Sequence, residues 1–405
     1  MIEYLKKFFR PHHFFNAITK KNDNDFGLGD MMHSRAFGSN TLAHNEINSY
    51  KNNVFVRYCV DMIANAVSHV PMIIHIEDKR ASNAHPLYRL LKKPTHTTSY
   101  AQFLRTIMSH KLLFGNAYVL GLCNKGSANA LCSLHILHPS CISLEYHKES
   151  HEVVGYKYRA HGKEVIYKIH PISGTSKILH IYNYNPNNPY CGLSVLETIK
   201  QSIELIQATN EWNNSLLKNG ARPSGALILK DDNKYLSEEQ FQRIKEELYQ
   251  QFSGYRNCGK PLLLEGGLQW QEISFNPKDM DFISSKHMAS KEIALAFGIP
   301  PQLLGISGGE NKYNNIERAR ISLWEEKIIP ELKILADFFS NWFSCFYQQD
   351  LSLSFDLDAV SALIRKRQKL WSKISSASFM TLNEKRTIAG LKPIDDANAD
   401  KLSTA

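Results

Sequence analysis

The sequence predicts an α+β protein of several units rather than one core. Three observations carry this. Residues 131 to 182 alternate five β-rich stretches with turn signals. Amphipathic helical patterns with recognisable caps stand on both sides of that stretch. At 405 residues the chain is longer than a single core usually organises. Its 43% hydrophobic and 21% charged residues match an ordinary folded protein, which excludes global disorder, a collagen-like repeat and a coiled-coil rod.

Residues 16 to 48, rich in Asn, Asp, Gly, Ser and His, have no sustained period and read as a loose arm. Order is expected from NVFVRYCVDMIANAVSHV, where Phe55, Cys59, Met62, Ala66 and Val70 recur at helical spacing. Pro71 stops that helix and MIIHI follows as a strand. A short helix (HPLYRLLKKP), a longer one (SYAQFLRTIMSHKLLF) closed by Gly115, and the strand NAYVLGL come next. The five strands are LHIL, CISLEY, VVGYKYRA, EVIYKIH and ILHIYNY.

A helix then opens at Ser194, with Glu197 completing a capping box, and stops at Gly220. Val195, Ile199, Ile203, Ile206, Trp212 and Leu216 form its stripe. Residues 221 to 275 read as a compact insert: strand GALILK, a helix capped by Ser237 with Gln240, then PLLLEGG and LQWQEISF. A third helix is capped by Asn276, carries Pro277 in its first turn and ends at Gly298. The loop SGGENKYNN leads to the longest helical pattern, Ile316 to Phe343, with Ile321, Trp324, Ile328, Leu332, Leu335, Phe339 and Trp342 as its buried stripe. Pro330 inside it predicts a kink, because proline removes a hydrogen bond and clashes with the preceding turn. A helix from Asp358 to Lys373 and a shorter one boxed by Thr381 and Glu384 end the chain.

Four stretches imitate chemistry. GYRNCGK, Gly254 to Lys260, starts like a phosphate-binding loop, but Pro261 replaces the metal-holding hydroxyl, and the stretch runs from helix to strand. GISGG, Gly305 to Gly309, lacks the strand before and the helix after that a nucleophile elbow needs. Cys132, His135, His138 and Cys141 could suit zinc, yet a three-residue step on a strand points to opposite faces. RKRQKLWSK sets Arg365, Lys366, Arg367, Lys369 and Lys373 on one helix, read as a solvated face or a phosphate-facing surface. With no dinucleotide fingerprint and no clustered acidic dyad, the expectation is no enzyme, no cofactor and no metal.

The net charge of +9 fits a nucleic-acid partner without requiring one. Seven cysteines, none in a C-x-x-C pair, read as reduced thiols in a cytosolic setting. The N-terminal MIEYLKKFFRPHHFF has no signal-peptide apolar core, and no uncharged apolar run reaches the roughly 18 residues of a membrane span, so no membrane partner is expected.

Five segments, in order, resemble the portal proteins of long-tailed double-stranded DNA phages and of related prophage or gene-transfer particles. They are CVDMIANAVSHVP (Cys59 to Pro71), HPLYRLLKKPTHTTSYAQF with LLFGNAYVL (Gly115 to Tyr118), GLSVLETI with LLKNGARPSGAL (Asn219, Gly220, Pro223, Ser224, Gly225), AFGIPPQLLG (Ala296 to Gly305), and MTLNEKR (Met380 to Arg386) with Leu391 and Pro393. The N-terminal arm has no counterpart in the family pattern, and the chain stops soon after Pro393, which implies a short crown without a long C-terminal barrel.

The resemblance implies a ring, commonly of twelve subunits, around a DNA channel at one capsid vertex. It implies an arm (1–49), an α+β wing (50–195), a first stem helix (196–220), a clip (221–275), a second stem helix (276–298), a tunnel-loop region (299–315), a kinked long helix of the wing (316–350) and a crown (351–405). In the tunnel loop, Ser307, Gly308, Gly309, Glu310, Asn311, Lys312, Tyr313, Asn314 and Asn315 would line the channel. Glu246 and Glu247 would lie on the clip surface, and the Arg365 helix would be a DNA-facing crown. Implied partners are double-stranded DNA, a large terminase motor, the major capsid protein or scaffold, and a head–tail adaptor. The implied location is the virion portal vertex, with assembly in the host cytoplasm. A basic nucleic-acid-binding protein outside any ring, and a nucleotide-dependent enzyme using Lys260, are the alternatives.

Overall fold

The computed structural model describes residues 40–77, 79–82, 85–123, 131–147, 152–160, 162–218, 225–229, 237–252, 268–272, 282–305, 313–396 and 399–401. The first element corrects the expected arm. Helix α1 spans Asn40–Asn52, and α2 follows at Val54–Ser68 after the cap Asn53, whose side chain accepts from the amides of Phe55 and Val56. Ile47 and Tyr50 of α1 pack on the core, and the Tyr50 hydroxyl donates to Asp61 at 2.8 Å. In so polar a stretch, NTLAHNEINSYKN, widely spaced apolar residues give no legible period. The buried face of α2 also differs: Val56, Cys59, Val60, Ile63, Ala64 and Val67 face inward, while Phe55, Met62 and Ala66 flank them.

Strand β1 (Met72–Ile76) pairs antiparallel with β2 (Lys79–Arg80) on one side. Helices α3 (Pro86–Lys92) and α4 (Tyr100–Phe114) come next, α4 ending on Gly115 in the left-handed conformation with φ +72°. Strands β3 (Asn116–Cys123), β4 (Leu131–Leu137) and β8 (Ile178–Tyr182) form one antiparallel sheet in the order β4-β3-β8. A second sheet is β5 (Ile142–Tyr146), β6 (Val153–Ala160) and β7 (Lys163–Lys168). Tyr118, Leu120, Leu137 and Ile178 of the first sheet meet Ile142, Tyr156, Tyr158 and Tyr167, giving a small second core.

The first long helix is broken at Ile199, into α5 (Val195–Thr198) and α6 (Lys200–Lys218). The Ser194 hydroxyl accepts from the Leu196 amide and donates to the Leu113 carbonyl, tying the helix start to the end of α4. Between α6 and the next long helix, β9 (Gly225–Leu229) pairs with β10 (Leu268–Glu272), and α7 spans Glu238–Phe252. The expected box at its start is present: Gln240 Oε1 accepts from the Ser237 amide and Ser237 Oγ accepts from the Gln240 amide. Helix α8 (Phe282–Ala296) packs against α6. Asn276 and Pro277, expected to start it, lie outside the described residues.

The longest helical pattern is three segments: α9 (Tyr313–Ser322), a π-helical turn (Leu323–Ile328) and α10 (Ile329–Tyr347). The irregularity expected at Pro330 is therefore spread over the preceding turn. A wider π turn opens the ladder where proline lacks an N–H and would strike the carbonyl four residues back. It also turns Leu323 into the core in place of Ile321 and Trp324, which are only half-buried. β11 (Leu351–Phe355) returns to pair antiparallel with β1, so the sheet order is β11-β1-β2 and the C-terminal region closes on the N-terminal one. Helices α11 (Ser361–Ser376) and α12 (Leu382–Ile388) end the fold, α12 with the Thr381–Glu384 box expected from the sequence.

One core runs through α2, α4, the β4-β3-β8 sheet, α6, α8 and α10. Phe103, Phe297, Phe339 and Phe343 are its largest fully buried side chains.

Candidate functional site: the junction, the paired helices and the basic surface

Three places carry the geometry that bears on function. The first is the junction between the central sheet and α6. Gly115 and Gly192 approach so closely that a methyl on Gly115 would stand 2.5 Å from the Leu193 carbonyl carbon, and one on Gly192 would meet the Gly115 carbonyl oxygen. Asn116 locks the contact: its Nδ2 donates to the Phe114 carbonyl at 2.9 Å and the Gly192 carbonyl at 3.0 Å, and its Oδ1 accepts from the Gly192 amide at 2.8 Å. His180 lies 2.9 Å from the same Oδ1, and burial pushes its pKa down to about 3, so the neutral ring donates through Nε2. Two segments far apart in sequence, GNAY and GLSVLETI, are thus one structural joint.

Behind the joint lies a buried ion network. Lys111 Nζ is 2.6 Å from Glu331 Oε2, with the Lys111 side chain 3% exposed, and Lys327 Nζ reaches Glu331 Oε1 at 2.8 Å. Burial alone would raise the Glu331 carboxyl, but the two ammoniums and their hydrogen bonds outweigh it and hold it below the ordinary value. The sequence analysis missed this network. Its signal was a lysine inside the apolar stripe of α4 and a glutamate inside that of α10.

The second place is the helix pair. α6 and α8 run side by side and bracket the insert; Ser202 donates to Glu292 at 2.6 Å and Lys286 to Asn210 at 2.8 Å. Beyond α8, Phe297 and Ile299 are buried, Pro301–Leu304 make a 3₁₀ turn, and Gly305 adopts φ +68°. The Tyr58 hydroxyl donates to the Leu303 carbonyl at 3.1 Å. Ser307, Gly308, Gly309, Glu310, Asn311 and Lys312 lie outside the described residues. Tyr313, Asn314 and Asn315 belong to the first turn of α9 rather than to a loop, and Asn315 is exposed.

The third place is the basic helix α11. Three of its five cations are engaged within the chain: Arg365 with Glu317 at 2.9 Å, Lys366 with Glu325, and Arg367 with Asp358 at 2.6 Å. Lys369 and Lys373 are exposed on it. Glu246 is exposed on α7, while the Glu247 side chain and the Gly254–Lys260 stretch lie outside the described residues. His135 bonds Ser133, and His138 bonds Ser140, so each is used locally. Among the described residues no three His, Cys, Asp or Glu side chains gather as metal ligands, and no helix is long and apolar enough to cross a membrane.

Comparison with known proteins agrees with this architecture. The sequence pattern of the family described as phage portal protein matches residues 55–390. An uncharacterized protein of Rickettsia bellii (strain RML369-C) is 45% identical over 95% of this chain and 98% of its own length. The portal protein of Enterobacteria phage HK97 is 22% identical over 83% of this chain and 78% of its own. A solved chain from the neck of a native gene transfer agent particle, computed with C12 symmetry, superposes with a TM-score of 0.66 at 30% identity, covering 90% of this chain and 99% of that one.

Proposed function

Because the chain belongs to the phage portal protein family, we propose that it is one subunit of a homo-oligomeric ring, of twelve copies, at a single vertex of a phage or gene-transfer capsid. Double-stranded DNA passes through its centre, driven in by a separate large terminase motor and later released through a head–tail adaptor. The ring seats among copies of the major capsid protein or on a scaffold. The family is structural rather than enzymatic, and ATP hydrolysis belongs to the motor. The likeness to a neck chain solved with twelvefold symmetry supports the ring.

In this reading residues 50–195 with α10 make the wing, α6 and α8 the stem, residues 221–275 the clip and the C-terminal helices the crown. The observation that carries the reading is the α6–α8 pair. Two packed helices whose far ends lead into and out of a separate insert are what a clip held away from a wing requires. Glu246 and Glu247 are offered as clip surface. The channel lining is offered at Ser307 to Lys312, continuing into Tyr313, Asn314 and Asn315. Glu310 and Lys312 cancel there, which suits a conduit, since each neutralised phosphate adds grip through counterion release.

Twelve copies of a 46.3 kDa chain total about 556 kDa. Native mass measurement and electron microscopy of the purified protein at high concentration test the reading. Rings with a central hole are the expected result; persistent monomer would count against it.

A further inference from the structure

Helix α8 is apolar on two opposite faces. Ala289 and Ile293 face the core and are 1% and 0% exposed. On the other side Ser284, Met288, Lys291 and Leu295 follow at steps of four, three and four, which is a single helical stripe. Met288 is 62% exposed and Leu295 76%. A helix apolar on both sides is built to be covered on both sides. The stripe spans roughly 16 Å along the axis.

A counterpart lies elsewhere on the same molecule. Helices α1 and α6 enclose a groove of about 670 Å³ whose floor includes Ile203 and Ile206 and whose walls carry Asn48, Gln207, Glu204 and Glu211. Four carboxyls, Glu46, Glu197, Glu204 and Glu211, face one cation there, Lys200. Burial, then the Glu197 charge, raises Glu46 to about 8 against an opposing hydrogen bond with Ser194, so it is neutral at pH 7. Three carboxylates then still outnumber the one ammonium. The stripe offers the opposite sign: Lys291 is exposed in its middle with exposed His287 beside it, while Glu292 is turned to Ser202 of its own chain.

We infer that the stripe Met288–Lys291–Leu295 of one subunit seats in the α1–α6 groove of the next subunit in the ring. The inference rests on the ring proposed above and names its contact. The stripe faces away from the core that its own α8 shares with α6, so the groove that receives it belongs to another copy. Two different, complementary faces on one chain make a head-to-tail contact, the kind that closes into a ring rather than a two-fold dimer. Met288 and Leu295 meet the apolar floor, and Lys291 meets Glu204 and Glu211 on the wall. Nothing but a second copy is needed to satisfy both faces at once.

The test compares ring yield by native mass measurement at one fixed concentration. Met288→Asp combined with Leu295→Asp should lower the ring fraction at least about ten-fold. Its thermal melting as a monomer should stay unchanged, because both side chains are exposed. Lys291→Glu should lower ring yield as well, and adding Glu211→Lys in the same chain should restore it. As an independent readout, rings of Leu295→Cys/Gln207→Cys should give a ladder of cross-linked multimers on oxidation, and either substitution alone should not. Wild-type ring yield in the double aspartate variant, or rings of the double cysteine chain without a ladder, would overturn the contact while leaving the portal reading intact. A wild-type chain that never forms rings would overturn both.

Discussion

At Gly115 both the positive φ and the touching backbone of Leu193 exclude a side chain. Gly115→Ala should cost about 2–4 kcal/mol, seen as a lower thermal midpoint. Lys111 is the second residue on which much rests. Removing one partner of a buried pair strands the other, so Lys111→Met should cost about 3 kcal/mol at neutral pH. The folded state holds Glu331 below its unfolded value, so the stabilisation is present above the unfolded value and is lost as pH falls through the lowered one. Denaturation of wild type and variant across pH should show the gap closing on the acid side of the carboxylate range. Glu46 has the opposite sign. Its carboxyl is raised to about 8, so its contribution is present below about 4.5 and lost as pH rises through about 8. Glu46→Gln should leave α1 equally protected from hydrogen exchange at pH 5 and pH 9, whereas wild-type α1 should loosen at the higher value.

At the scale of an element, the π turn and Pro330 explain each other. Deleting exposed Glu326 would return Leu323–Ile328 toward an α-helical ladder and bring the Pro330 ring against the carbonyl four residues earlier. That deletion should cost about 3 kcal/mol. Combining it with Pro330→Ala should recover most of the loss, measured by chemical denaturation; no recovery would show that the wide turn serves packing alone. The exposed pairs on α11 are a different case. Arg365–Glu317 and Lys366–Glu325 sit at the surface, so they fix where α11 lies against α9 and the π turn more than they stabilise it.

For the whole molecule, the ring proposed above makes function a matter of what repeats around it. The described chain before the segment from Ser307 to Lys312 is a 3₁₀ turn fastened by Tyr58, and α9 starts after it. We expect removal of Gly309 to Lys312 to leave rings intact and to lower the yield of stably filled particles in a packaging assay. Normal DNA retention in that variant would show the segment to be dispensable. Charge reversal at Glu246 should leave ring mass unchanged while weakening motor or adaptor docking, since α7 belongs to the insert rather than to the shared core.

The sequence by itself determined the α+β class and the five strands from Leu131 to Tyr182. It also set the caps at Gly115, Ser237 and Thr381, and the order of motifs that marks the family. These are local properties: a period, a cap or a turn is set by neighbours along the chain. Only the tertiary structure decided the rest. α1 is held as a helix by contacts such as those of Ile47 and Tyr50 with the core, not by an amphipathic pattern of its own. The proline's irregularity became a π turn because α10 must keep Leu332, Leu335 and Phe339 inward after it. The Arg365 helix could be read from its own residues only as a basic face; that Glu317 and Glu325 pair with Arg365 and Lys366 depends on segments about forty residues away. The GNAY and GLSVLETI segments are separated by about seventy residues, yet Asn116 binds them into one joint. Contacts of that kind depend on which distant groups are brought together, and no local pattern encodes the partner.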